Sequence, residues 1–324
     1  MVIDQRLRIG LVTHLLFVML PLLSPKSLAG FTVTSQNPFA LIISTPSLHL
    51  PSWDKQATFS HDCQLVLSNH WYLSKATDKE KLWIDTESTV INNRLTFYQG
   101  QWQFYMQIPM IRFGGGFLDD FIDGYHHFWG MPNGDRHLHK QRQSRIVYQD
   151  GQAIRKPDSG FLDPKFGIGF QFLETHNASH AVFGYLKAPV GEKAKLQSSE
   201  TWSGAVQISH EYQPSKWLFN LQYGFMLQGE HDYFGWQSRS FISTGIFGIA
   251  YKMSGDWYAQ LQYDYHSPLY ENAYTVPAIE SHMGTIGIIK KTQRLQIELA
   301  VQEDLFVGST ADVSFFVSVK RFYD

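Results

Sequence analysis

Apolar side chains recur at every second position through most of the chain after residue 56. In the run 217–228, large apolar residues such as Phe219 and Tyr223 alternate with positions that include Asn220 and Gln222. A two-residue period places successive side chains on opposite faces of a β-strand. Helical patterns do not separate most of these runs, which disfavours a parallel β-α-β architecture. We therefore expect an all-β fold of antiparallel strands.

The spacing of the runs predicts how the strands are connected. Twelve strands are predicted near 57–73, 82–98, 101–114, 159–173, 179–190, 200–213, 216–229, 239–253, 256–267, 280–290, 292–303 and 311–323. Short turns and longer links alternate between them, as in an antiparallel transmembrane β-barrel with short periplasmic turns. A secreted sandwich or lipocalin-like barrel is the alternative. The second face argues against it, because Gly, Gln, Asn, Ser and His outnumber Lys and Glu there.

The composition excludes several other classes of protein. Hydrophobic residues make up 44% of the chain and charged residues 17%, whereas soluble domains carry about 25% charged residues. Aromatic residues reach 15%, too many for a disordered chain. No apolar run after the first 25 residues is long enough for a membrane helix. The net charge of −2 argues against a nucleic-acid partner, and the single Cys63 excludes an intrachain disulfide.

The N-terminus has the order of a secretory signal peptide. Arg6 and Arg8 precede the mainly apolar stretch 9–23, and Ser27-Leu28-Ala29 supplies small residues for cleavage. We expect residues 1–29 to be removed after Ala29; an N-terminal membrane anchor is the alternative. Residues 30–55 contain three prolines and two short apolar runs, and we expect a periplasmic tail or a small plug. Residues 56–324 would then form the outer-membrane β-barrel.

The last predicted strand has the character of a barrel-insertion signal. Arg321 departs from that pattern because it shares the lipid-facing parity, and Asp324 departs because it follows the final aromatic residue. The apolar side chains of one parity are Val313, Phe315, Val317, Val319 and Tyr323. We expect outer-membrane lipid and the barrel-assembly machinery as partners.

The link 114–158 is the longest, and links of this length are commonly functional. Three glycines open it, and residues 117–129 then show a helical apolar stripe, with Gly130 and Pro132 as stop signals. Polar residues occupy the opposite helix face and the tight turn that follows. The loop or gate candidates are Asp119, Asp120, Asp123, His126, His127, Asp135 and Arg136.

Two kinds of chemistry could involve these residues or the strands. Asp123 with His126 or His127 would share a helix face and could reach one metal ion, although a solvated polar face explains the same pattern. The pattern therefore does not decide whether a metal ion binds here, and we expect no cofactor. The triplet Ser209-His210-Glu211 cannot form a catalytic dyad, because adjacent strand residues point to opposite faces. We expect no enzymatic activity.

Several of these segments resemble a known family. They are Gly115-Gly116-Phe117-Leu118-Asp119, a His at 126 or 127, Gly130-Met131-Pro132-Asn133-Gly134-Asp135-Arg136, and Ser35-Gln36-Asn37-Pro38-Phe39 near the mature N-terminus. They are similar to the signature of a Gram-negative outer-membrane family catalogued as domain of unknown function 3187. The resemblance implies an outer-membrane barrel and no particular activity, ligand or catalytic residue.

Two functions are compatible with such a barrel. The first is a passive channel or uptake pore for a small solute, with the loop 115–158 folded inward or across the mouth as a gate. The second is a non-transporting structural or surface-binding barrel. The sequence alone does not separate them.

Overall fold

The computed structural model of the protein describes residues 30–51, 53, 57–74, 81–130, 144–148, 152–154, 158–271, 273, 279–305 and 310–324. The expected signal peptide, residues 1–29, lies outside the described residues, so its cleavage stays a prediction. All structural statements below concern the described ranges.

Twelve long strands form the body of the molecule. They are β1 (Phe59–Leu73), β2 (Leu82–Gln99), β3 (Trp102–Gly114), β7 (Lys165–Glu174), β8 (Ala178–Lys187), β9 (Ser203–Tyr212), β10 (Trp217–Gln228), β13 (Phe241–Lys252), β14 (Trp257–His266), β16 (Ser281–Lys291), β17 (Leu295–Asp304) and β18 (Val313–Tyr323). Short strands lie in the links: β4 (Arg145–Tyr148), β5 (Gln152–Ile154), β6 (Gly160–Phe161), β11 (Asp232–Tyr233), β12 (Trp236–Ser238) and β15 (Tyr270–Glu271).

The twelve long strands pair in chain order and close on themselves. β1 pairs with β2 on one side and with β18 on the other, and every pairing is antiparallel. The result is a closed 12-strand barrel, as predicted from the alternating pattern. Tight turns join the strands at one end, where Gly100 and Gly255 have φ of +60° and +57°. Only glycine adopts this conformation without strain. We call this end periplasmic and the opposite end, with the long links, outer.

The two faces of the barrel differ in chemistry. Large apolar side chains point outward and are exposed, such as Leu227 at 64% and Ile286 at 65%. Side chains of the opposite parity point inward and are largely polar, such as Gln222 and Gln260, which are 1% and 2% exposed. Aromatic rings pair on the outward face at the periplasmic end, for example Trp217 with Tyr251 at 4.8 Å. An outward apolar band with aromatic rings at its edge matches a lipid bilayer.

Helices are short and few among the described residues. Helix α1 is Pro38–Ile43, helix α2 is Asp119–Trp129, and a 3₁₀ turn covers Lys193–Lys195. No described helix has both the length and the apolar composition needed to cross a membrane.

Candidate functional site in the barrel lumen

Residues Gly30–Pro51, which we call the N-terminal segment, lie inside the barrel. Three inward-facing glutamines donate hydrogen bonds to its carbonyl oxygens. The pairs are Gln262 with Phe31 at 2.9 Å, Gln222 with Ser47 at 2.8 Å and Gln171 with Pro51 at 3.1 Å. These glutamines belong to β14, β10 and β7, which lie on different sides of the barrel. The segment therefore fills the centre of the lumen, where its residues are almost all buried.

The segment runs up the lumen and back. Its rising part passes Phe316 and reaches the outer end, where the Ser35 hydroxyl lies 2.9 Å from that of Thr310 in the β17–β18 link. Helix α1 forms the top. The returning part descends to Trp53, whose indole N–H donates to the Gly100 carbonyl in a periplasmic turn. Both ends of this hairpin therefore lie near the periplasmic end of the barrel.

Local sequence explains why the chain reverses at α1. The Asn37 side chain accepts a hydrogen bond from Phe39 N at 2.9 Å and caps the helix, and Pro38 occupies its first turn. Both are favoured helix-start residues. Ser44 ends the helix in a left-handed conformation with φ +67°. The motif Ser35–Phe39 thus builds the tip of the segment.

Phe39 is fully buried in a group of rings at the outer mouth. Its ring centroid lies 5.7 Å from that of Tyr233, 6.1 Å from Phe234 and 5.3 Å from Trp236, all edge to face. Tyr148 stacks on Phe234 at 4.6 Å. We call Phe39, Tyr148, Tyr233, Phe234, Trp236 and Tyr270 the outer aromatic cluster. Aromatic pairs of this kind contribute about 0.5–1.5 kcal/mol each beyond the burial of their area.

The turn that carries Phe234 is strained. Phe234 and Gly235 both have positive φ, at +55° and +79°, between β11 and β12. A side chain other than glycine costs roughly 1–2 kcal/mol there. The contacts of the Phe234 ring with Phe39 and Tyr148 offset that cost, so the turn is held over the mouth by the ring contacts.

The outer aromatic cluster is bordered by a neutral imidazole. The His231 ring lies 5.7 Å from Tyr270, and burial lowers the pKa of His231 to about 4. His231 is therefore uncharged at neutral pH. The outer aromatic cluster thus has a neutral neighbour on this side.

A buried ion pair joins the N-terminal segment to the outer links. Lys187 Nζ donates to Asp163 Oδ2 at 2.6 Å, to Ser199 Oγ at 2.6 Å and to the Ile42 carbonyl at 3.1 Å. Asp163 also accepts hydrogen bonds from the backbone N–H groups of Val190 and Gly191, at 2.9 Å and 3.1 Å. The pair thus fixes the link 188–202 and the end of α1 together.

The lumen wall carries more polar side-chain groups than the N-terminal segment hydrogen-bonds. Both side-chain polar atoms of Asn220, and the Oε1 atoms of Gln207 and Gln260, are buried without a hydrogen bond to any described group. Buried polar groups of this kind are normally satisfied by water.

Helix α2, expected from the residues 117–129, lies on the outside of the barrel. Leu118 and Ile122 pack on Val313 together with Leu67, Val301 and Phe315, all of which have outward parity. The rings of Phe121 and Phe315 are 5.4 Å apart. The apolar face of the helix thus covers the upper part of the outward apolar band. This corrects the expected inward or mouth-covering position for helix α2, whereas Tyr148 of the same link lies in the outer aromatic cluster at the mouth.

Polar contacts at the helix start hold it there. Glu87 has outward parity on β2, and its carboxylate accepts hydrogen bonds from the N–H groups of Phe117 and Leu118 at 2.9 Å and 2.5 Å. Asn69, its register partner on β1, donates to Asp119 Oδ1 at 3.2 Å. A carboxylate directed toward lipid is costly, and the hydrogen bonds from the two residues just before the helix offset that cost.

The predicted gate residues are therefore placed as follows. Asp119 is buried against the outer wall, Asp123 is half-buried, and Asp120 and His127 are exposed. The His126 side chain, Asp135 and Arg136 lie outside the part of the chain that the structure describes. Within the described residues, no group of three or more His, Cys, Asp or Glu side chains is arranged to hold a metal ion. The roles of these residues stay predictions.

Replacing the three acidic residues of α2 tests this placement. The triple variant Asp119→Asn, Asp120→Asn and Asp123→Asn should leave ion selectivity unchanged, because the three carboxylates lie on the outer wall. Reversal potentials in planar bilayers under a salt gradient measure this. A clear loss of cation preference with an intact barrel would place the helix beside the permeation path instead.

Ser209 and His210 diverge, as their adjacency on a strand predicts. Ser209 faces the lumen and donates to Gln222 Oε1 at 2.7 Å, whereas His210 faces outward beside His180. The triplet 209–211 therefore has no dyad geometry.

The closed barrel, the outward apolar band and the polar lumen define an outer-membrane β-barrel protein. The chain belongs to the family described as protein of unknown function (DUF3187), which matches residues 12–322. The family expected from the sequence motifs is thereby confirmed.

Solved structures of other barrels resemble this one in fold. The COG4313 outer membrane channel from Pseudomonas putida F1 is 14% identical, with a TM-score of 0.56 over 86% of this chain and 97% of that one. The NanC porin is 8% identical with a TM-score of 0.46, covering 82% of this chain and 100% of the porin. The P. putida toluene transporter TodX is 12% identical with a TM-score of 0.40, covering 89% and 92%. No curated protein matches the sequence.

Proposed function

We propose that this protein is a passive outer-membrane channel for a small solute, and that the N-terminal segment closes its lumen at rest. The observation that carries the proposal is the nature of the contacts between segment and wall. Glutamine side chains of β7, β9, β10 and β14 hydrogen-bond to segment carbonyls. Water can replace such bonds at small cost, since the net free energy of one is about 0.5–1.5 kcal/mol.

A purely structural barrel has no need of such a lumen. Small barrels are commonly filled by the side chains of their own strands. Here the wall is lined by polar, mostly uncharged side chains, and a separate stretch of chain occupies the space. A 12-strand lumen is also narrower than that of open 16- to 18-strand porins, which suits selective passage of small solutes.

We assign the closing role to the N-terminal segment and not to helix α2. Helix α2 packs on outward residues, so its described part has no access to the lumen. The N-terminal segment, in contrast, spans the lumen and is anchored at the mouth through Phe39. The expectation of either a tail or a plug for residues 30–55 is thus developed here into the proposal of a plug.

Solute flux tests the proposal. Wild-type protein in liposomes should admit small neutral solutes, measured by swelling, with a rate that falls as solute size increases. Phe39→Ala should raise the rate, because it removes three ring contacts that hold the segment closed. Phe121→Ala is the matched control, since that ring packs on the outer wall. Equal rates in all three proteins would contradict the proposed closing role.

The second candidate is a non-transporting structural or surface-binding barrel. The observation in its favour is the buried pair of Lys187 and Asp163, which fixes the segment to the outer links. If that pair locks the segment permanently, neither the wild type nor Phe39→Ala will admit solute. Flux at the level of protein-free liposomes in both would favour this candidate.

A further inference from the structure

A cavity of about 60 Å³ lies between the N-terminal segment and the barrel wall in the periplasmic part of the lumen. Gly30 and Leu48 of the N-terminal segment, together with Trp53 just after it, line one side of the cavity. Five charged side chains of the wall line the other side, and we call them the charged row. They are Arg94, Asp62, Lys320, Glu298 and Lys291.

The strand register gives the row its order. Asp62 on β1 is paired with Arg94 on β2 and with Lys320 on β18. Gln296 on β17 is paired with Lys320 and with Lys291 on β16, and Glu298 is the next inward residue beyond Gln296. Basic and acidic residues therefore alternate around five adjacent strands, from Arg94 through Asp62, Lys320 and Glu298 to Lys291.

Four residues of the row, Asp62, Arg94, Glu298 and Lys320, do not pair directly with one another. No ion pair within 4 Å joins any two of Asp62, Arg94, Glu298 and Lys320, all of which are described. Asp62 accepts instead from Ser318 Oγ at 2.6 Å, and the Arg94 guanidinium contacts His49 and lies 4.4 Å from the centre of the Tyr105 ring.

One carboxylate in the cavity has an oxygen without a donor. Glu298 is 3% exposed, and its Oε2 hydrogen-bonds to no described group. A buried carboxylate oxygen in this position favours a ligand, or water, that donates a hydrogen bond. Lys320, the cation between Asp62 and Glu298, offers an ammonium group to an acceptor on the same ligand.

From this arrangement we propose that the charged row is a binding site for small zwitterions, in which an ammonium and a carboxylate group are a few ångströms apart. A simple ion beside the row meets attraction from one strand and repulsion from the next. Neighbouring strands are about 4.8 Å apart, and two methylene groups separate the charges of β-alanine by a comparable distance. Such a molecule can therefore satisfy an acidic and a basic residue of the row together.

The row belongs to the wall, so it persists if the segment moves. All five side chains are on β1, β2, β16, β17 and β18, and none is on the N-terminal segment. This inference rests on the proposed channel function and adds its solute class. Zwitterions would be enriched at the periplasmic end of the path relative to neutral molecules of the same size.

Liposome swelling with two solutes of similar size tests the site. For wild-type protein we expect β-alanine to enter about two- to fivefold faster than propane-1,2-diol, the factor that partly screened ion pairs provide. The double variant Asp62→Asn and Glu298→Gln should lose this preference while the diol rate stays the same. Glu211→Gln is the matched control, because Glu211 faces the lumen on β9 without lining the cavity.

The outcomes separate this inference from the channel proposal. An equal preference for β-alanine in the wild type and the double variant, both folded by heat-modifiable migration, overturns the site but leaves the channel. If the double variant fails to fold, Asp62→Asn alone is measured against the same expectation. If neither solute enters with wild-type protein, the channel proposal fails. In that case calorimetric titration with β-alanine tests the binding site on its own. Equal binding to the wild type and to the double variant, or no binding to either, overturns the site.

Discussion

Deleting residues 31–50 should turn the protein into a steadily open pore. A lumen that opens only in a minor state is open for about 0.1–10% of the time, so the deletion should raise the time-averaged conductance by at least about tenfold. The reason is that this stretch supplies nearly all of the chain described at the centre of the lumen. Planar-bilayer recordings of purified protein, at one voltage and salt concentration, measure the change.

The deletion leaves the barrel's own bonds in place. Pairing of β1 with β2 and β18 involves no residue of the N-terminal segment. Heat-modifiable migration on gels verifies that the variant is folded. The milder Phe39→Ala variant should give a conductance between wild type and deletion. A folded deletion variant with wild-type conductance would show that the segment does not close the lumen.

The second large effect concerns the buried ion pair at the outer end. Asp163→Ala should lower the free energy of unfolding by about 3–5 kcal/mol, since it leaves a buried ammonium without its counter-charge. Lys187 and Asp163 side chains are 0% and 1% exposed. The variant also removes the acceptor of the Val190 and Gly191 N–H groups. Urea unfolding in lipid vesicles, followed by tryptophan fluorescence, measures the difference.

An exposed pair in the same region provides the control. Lys193 and Asp232 are 3.2 Å apart with side chains 29% and 73% exposed. Asp232→Ala should therefore change the free energy of unfolding by about 0–1 kcal/mol. If Asp163→Ala cost no more than Asp232→Ala, the buried pair would not anchor the outer links.

The barrel was predictable because a membrane imposes one rule on every strand. Outward residues must be apolar and inward residues meet a polar lumen, so Phe219 and Gln222 could be assigned to opposite faces from the period alone. The structure has Gln222 inside, bonded to the N-terminal segment. Counting the alternating runs gave the strand number, and the alternation of short turns and longer links indicated an antiparallel transmembrane barrel.

The position of α2 was not predictable from its own residues. An apolar helix face indicates that the helix is covered, but a barrel offers apolar partners both in lipid and on its outer wall. The available signal lay elsewhere, in Glu87. A carboxylate on the lipid-facing parity of β2 requires a donor, and the start of a helix provides one.

The sequence of the N-terminal segment has no hydrophobic period that could predict its position in the lumen. Its chain is irregular, and what holds it are single contacts with strands far away in sequence, such as Ser47 with Gln222. Asn37 and Pro38 are typical helix-start residues, but they do not indicate where the helix packs. The ring contacts of Phe39 depend on the strained turn at Phe234, and no local sequence pattern predicts that turn.

The hairpin course of the N-terminal segment has a consequence for biogenesis. The segment directly precedes β1, and β1 forms the seam of the barrel with β18. Since both ends of the hairpin lie at the periplasmic end, no terminus has to be threaded through the finished cylinder. The loop of chain can slide in from the periplasm after the seam has closed, or be drawn out again by the same route. Maturation would then proceed in two stages, an empty cylinder first and its filling second.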